Sequence, residues 1–86
     1  MTFGKVIKRL KKGERVYRMI WGYGQYIYLV PANAYEPTTD VGRRISQNGV
    51  VEYASYIATK RVGGKVEMWN PSHADLLADD WVVFPL

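Results

Sequence analysis

One apolar stripe near the N-terminus does most to limit what this chain can fold into. Phe3, Val6, Ile7 and Leu10 recur at the i, i+3, i+4, i+7 spacing of a single helix face, and lysines and arginines occupy the other side. Thr2 stands where an N-cap belongs, and Gly13 where a left-handed stop belongs. The spacing predicts a helix over residues 3–12. A helix of about ten residues is marginal in water by itself, so its stripe must dock on another layer.

That layer reads as a sheet. Residues 15–21 alternate, and residues 25–30 are dense in Tyr, Ile and Val, with Gly22-Tyr23-Gly24 as a hairpin turn between them. Residues 50–59 and 65–69 form two more expected strands joined by Gly63-Gly64, and residues 81–84 close the set. Between Pro31 and Gly49 the chain has two prolines and no clear period, and only residues 41–45 suggest a turn of helix. A second short helix is expected after Ser72. The fold class that follows is α+β in one domain, residues 1–86: a small antiparallel sheet, an N-terminal helix and a short helix before the last strand.

Several function classes drop out. The 86 residues include no cysteine, so neither a disulfide framework nor a thiolate zinc site is available. No apolar run approaches the roughly 20 residues that span a bilayer. The first residues lack a signal peptide's apolar stretch, so a cytosolic setting and no membrane partner are expected. His73 is the one histidine, without a second histidine to share a metal, and its neighbour Ser72 is poorly placed as a nucleophile. Asp75, Asp79 and Asp80 do not have the spacing of a calcium loop, and no phosphate-binding glycine loop occurs. Neither a catalytic centre nor a metal or other cofactor is expected.

Binding equipment remains. Ser72 followed by Asp75 has capping-box spacing, which serves either a well-capped helix or an anion at the helix start. Trp69 stands just before it, and Trp21 sits beside the glycine turn with Arg18 three residues earlier. Exposed indole rings stack on bases, at about 1–3 kcal/mol per base. Trp81, in an apolar strand, reads as core. The net charge is +4, with seven basic residues against Glu14 in the first 18 positions and Asp75, Asp79 and Asp80 near the end. Such asymmetry suits a phosphate-bearing ligand or charge-complementary packing between subunits.

Two blocks carry a family resemblance. Phe3-x-x-Val6-x-x-x-Leu10-x-x-Gly13-x-x-Val16-x-Arg18-x-x-Trp21 and Trp69-x-Pro71-Ser72-x-x-Asp75-Leu76-Leu77-Ala78-x-Asp80-Trp81 resemble the small phage proteins of the Thoeris anti-defence protein 2 family in order, separation and total length. The resemblance implies a non-enzymatic sponge in the host bacterial cytoplasm. It would capture the cyclic ADP-ribose isomer glycocyclic-ADP-ribose as a homo-oligomer, a tetramer with ligand pockets between subunits. On that reading Trp21 and Trp69 stack on adenine, Phe3 forms an apolar wall and Arg18 neutralises the pyrophosphate. Ser72 faces phosphate or ribose oxygens. Asp75 either accepts hydrogen bonds from the ligand or supports the site from within the helix cap. Leu76, Leu77 and Trp81 are expected in the core. Sponges for other cyclic nucleotide signals, a basic nucleic-acid-binding domain and a signal-degrading phosphodiesterase are the alternatives. The three aspartates beside the proposed site argue against nucleic acid.

Overall fold

Five antiparallel strands lie in the order β6 (Val66–Met68), β5 (Tyr56–Lys60), β2 (Tyr26–Val30), β1 (Val16–Arg18), β7 (Trp81–Val83), and one helix packs across the β2-β1-β7 side of the sheet. The computed structural model describes residues 1–22 and 24–85, so Tyr23 of the expected glycine turn lies outside the described residues. A separate two-stranded sheet pairs β3 (Asn33–Tyr35) with β4 (Val51–Tyr53), and α2 (Asp40–Ile45) lies between them in sequence. The remaining helices are α1 (Phe3–Lys11) and α3 (His73–Leu77). This is the α+β arrangement that the alternation patterns imply.

α1 forms for the expected reasons and ends as expected. Val6 and Leu10 are buried, with Phe3 and Ile7 packed beside them against Val16, Ile27 and Trp81. At Gly13, φ is +83°, a conformation that costs a side chain with a Cβ. That turn lets the Gly13 N–H reach Leu10 O at 2.9 Å and the Glu14 N–H reach Arg9 O at 3.2 Å, so two terminal carbonyls are satisfied. Thr2 does occupy the N-cap, but its side chain makes no capping bond. Its carbonyl receives the Lys5 and Val6 N–H groups. The chain start is pinned elsewhere: the Met1 ammonium donates to Asp79 O at 3.0 Å and Trp81 O at 2.7 Å. The helix therefore begins directly over β7.

Three expected boundaries shift. The first strand stops at Arg18, because Met19–Trp21 tightens into a 3-10 turn whose first N–H donates to Asp80 O. Residues 50–59 are not one strand. They divide into β4 and β5, which pair with β3 and β2 respectively and so belong to different sheets. The stretch 31–49 contains β3 as well as the helical turn expected at 41–45. Thr39 caps that turn by accepting from the Gly42 N–H at 3.0 Å.

The β3-α2-β4 unit projects from the main body. The radius of gyration is 15.4 Å and the extents are 44 × 27 × 26 Å, against about 12 Å for a compact chain of this length. Its apolar side chains, including Val41, Ile45, Tyr35 and Tyr53, are exposed. Among the described residues no helix is long and apolar enough to cross a membrane.

Candidate functional site

Strand alternation decides which side chains share a surface. Ile27 and Val16 face α1, and cross-strand pairing carries the same face outward to Ile57 and Thr59 on β5 and to Glu67 on β6. α1 packs on β1, β2 and β7 and leaves this end of the face uncovered. A cavity of about 430 Å³ lies here, within the range of small-ligand sites. Trp21 and Trp69 border it, together with Gln25, Thr59, Arg61, Glu67, Met68, Asn70 and Asp75.

The two tryptophans hold their places through a third. Trp81 is 1% exposed and stands in the core. Trp21 meets it edge-on at 5.2 Å and 84°, and Trp69 meets it at 5.8 Å and 89°. Phe3 closes the cluster 5.6 Å from Trp69 and 5.5 Å from Trp81. Edge-to-face contacts of this kind are favoured by the ring quadrupoles and set the orientation of each indole. Trp21 and Trp69 are only half-buried, so both keep ring surface at the cavity.

Beneath them lies a charged network. The Arg18 Nε donates to Asp80 Oδ1 at 2.9 Å and its Nη1 to Asp75 Oδ1 at 3.0 Å. Asp75 also closes the capping box: its Oδ2 accepts from the Ser72 N–H, and Ser72 Oγ accepts from the Asp75 N–H, each at 3.1 Å. The Trp81 Nε1–H donates to Asp75 O at 3.0 Å, which ties the helix start to the core indole. The hydrogen bonds that Arg18 donates to Asp80 first, then to Asp75, hold its guanidinium above its ordinary pKa. Partial burial pushes the Asp75 carboxyl up, but the Ser72 and Arg18 hydrogen bonds outweigh it and leave it below the usual value. The Arg18 hydrogen bond, against a smaller burial penalty, likewise lowers Asp80.

The six residues singled out from sequence fall into two sets. Trp21, Trp69 and Asp75 line the cavity. Phe3 packs behind the tryptophans, Ser72 holds the start of α3, and Arg18 lies behind Asp75. Arg18, expected to face a pyrophosphate, is held between two carboxylates, and Asp75 is engaged through both oxygens.

Leu76 and Leu77, expected in the core, are 42% and 85% exposed. α3 is a five-residue helix with one inward stripe. Asp75 and Ala78, three apart, occupy that stripe and turn the leucines outward.

Gln25, Thr59, Arg61, Glu67, Met68 and Asn70 are the cavity residues that sequence reasoning missed. The register Thr59↔Glu67 is what places Arg61 and Trp69 on one face, each two residues beyond a paired position. The Gly63-Gly64 turn signal was visible, but not this register.

Residues 1–84 match the family model described as a Thoeris anti-defense 2-like domain. The chain is also similar to "Thoeris anti-defense 2" of Bacillus phage SP01, at 33% identity over 82 residues, covering 94% of this chain and 91% of the relative. The half-exposed tryptophan pair, the buried third tryptophan and the aspartate-capped helix are thus features of a chain that belongs to the Thoeris anti-defense 2 family.

Proposed function

We propose that this protein counters Thoeris defence by binding and holding a cyclic ADP-ribose-type signal, glycocyclic-ADP-ribose, without degrading it. Family membership supports the anti-Thoeris role. The observation that carries the binding mode is the cavity between Trp21 and Trp69, which combines two indole surfaces with polar side chains from β5, β6, α3 and the loop residues beside the strands. One indole stacks on the adenine ring, and the polar floor meets ribose and phosphate oxygens.

A sponge must outcompete the effector. Nanomolar affinity corresponds to about −12 kcal/mol, and slow release governs how long the signal stays sequestered. A cavity open to solvent on one side gains slow release when a second subunit covers the ligand. Assembly as a homotetramer fits two features of the chain. Leu77, Ile20 and Met19 are 85%, 72% and 66% exposed, and the β3-α2-β4 unit projects with apolar side chains uncovered. The site of action on this reading is the cytoplasm of the infected bacterium.

The direct test mixes purified protein with glycocyclic-ADP-ribose, removes free ligand by filtration, denatures the protein by heat and identifies what is released. Intact ligand, retained and then recovered, is the expected result. Recovery of a hydrolysed product would make the protein an enzyme. Free passage through the filter would overturn the reading and direct attention to cyclic oligonucleotides.

A further inference from the structure

We propose that Arg61 is the phosphate-binding cation of this cavity, and that Glu67 is a built-in competitor that a diphosphate-bridged ligand displaces. The proposal rests on the cavity being a nucleotide site. Among the described residues, Arg61 is the one cation lining the cavity. Its Nε donates to Glu67 Oε1 at 2.8 Å, while both Nη groups make no hydrogen bond among the described residues. A guanidinium presents five N–H donors in a planar fork, so four remain for an incoming oxyanion. The pair is open to solvent, with the Arg61 and Glu67 side chains 56% and 40% exposed. It is anchored from below, because the Arg61 N–H donates to Lys65 O at 2.8 Å and its carbonyl accepts from the Gly64 N–H at 2.8 Å.

Other nearby cations are unsuited to the task. Arg18 is 13% exposed and already opposed by two carboxylates, so turning it to a phosphate would strand both. Lys60 faces the opposite side of the sheet, where its Nζ lies 5.5 Å from the Tyr26 ring centroid and donates to Gly24 O. Arg15 is stacked on that same far side, over Tyr26 and Phe84. Arg18 offsets only one of the two charges of Asp75 and Asp80, so that network has no cation to spare, and Arg61 is left to meet an anion in the cavity. Exchanging one carboxylate contact for a bidentate phosphate contact is favourable because the planar fork matches two phosphate oxygens at once.

The test is isothermal titration of glycocyclic-ADP-ribose into the wild-type chain and into Arg61→Ala, Arg61→Lys and Glu67→Gln, with thermal melting to verify folding. Removing the fork should weaken binding on the order of 10- to 100-fold. The lysine variant, which keeps the charge and loses the fork, should fall between. Glu67→Gln should tighten binding about two-fold or more, a gain that a merely structural ion pair could not produce. Raising salt should weaken the wild type more than Arg61→Ala. Equal affinity of Arg61→Ala and wild type would remove Arg61 from the site while leaving the sponge intact. A Glu67→Gln variant that binds more weakly would overturn the displacement. A wild-type chain that binds nothing would overturn both the nucleotide site and the role of Arg61.

Discussion

Arg18 and Asp75, 57 residues apart in sequence, meet at 3.0 Å with side chains 13% and 14% exposed. Asp80 reaches the same guanidinium from 2.9 Å. The network joins the end of β1, the start of α3 and the entry to β7; Trp21 ends the 3-10 turn that follows β1, and Trp81 opens β7. It acts as the frame of the cavity rather than as its lining.

Removing the shared cation should therefore cost more than breaking an ordinary surface pair. Arg18→Ala leaves two partly covered carboxylates facing one another, whereas Arg43→Ala opens an exposed pair to Asp40 at 2.7 Å. Melting curves should show a clear drop in Tm for the first variant and almost none for the second. Equal shifts would mean that the network does not stabilise the fold.

The same network sets a pH dependence. Asp75 and Asp80 have carboxyl groups held below their ordinary values in the folded state. In the window between folded and ordinary values the unfolded chain binds more protons, so stability rises with pH there. This contribution is complete above the ordinary carboxylate range and is lost as pH falls below about 4, through the lowered folded values. Urea midpoints measured from pH 7 down to pH 2 should fall in that acid range. Asp80→Asn should flatten the fall; an unchanged profile would remove Asp80 from the linkage.

Trp81 and Trp21 should separate folding from binding. Truncating the fully buried Trp81 should cost about 3–5 kcal/mol. That is a large part of the roughly 4–13 kcal/mol expected for a domain of this size, so Trp81→Ala should be largely unfolded by circular dichroism at 37 °C. Trp21→Ala loses one edge-on contact, worth about 0.5–1.5 kcal/mol beyond area, and should stay folded and keep its oligomeric state while losing ligand capture. Unchanged affinity in folded Trp21→Ala would exclude that indole from the site.

Gly42 predicts a local defect. A Cβ there would lie 2.8 Å from Pro37 Cβ and 3.1 Å from Thr39 Oγ1, where the first turn of α2 meets the chain before it. In Gly42→Ala, hydrogen exchange should quicken in α2, β3 and β4 while amides of β1, β2 and β5 keep their protection. Uniform loss of protection would show that the projecting unit and the main sheet unfold together.

Much of the molecule was legible in short spacings. The Phe3, Val6, Ile7, Leu10 stripe, the stop at Gly13, the helical turn near Val41 and the Ser72–Asp75 box each depend on groups within a few residues of one another. β3 and the break between β4 and β5 were not legible. Which strand each segment joins depends on partners about 20 or 30 residues away in sequence, as in Asn33↔Tyr53 and Tyr26↔Lys60. The apolar pattern through residues 50–59 is compatible with one strand or two.

The candidate site divides along the same line. From the sequence alone came the residue types: two indoles with stacking surface, an arginine near Trp21, and a helix start secured by Ser72 and Asp75. Only the tertiary structure decided their roles. Arg18 became a clamp because the fold brings Asp75 and Asp80 to it, and Arg61 came to the cavity because the β5-β6 register puts it on the face of Trp69. Capping is settled by hydrogen bonds within one turn of chain. The partner of a charge, and the face of a strand that meets a cavity, are settled by packing between segments that the sequence holds far apart.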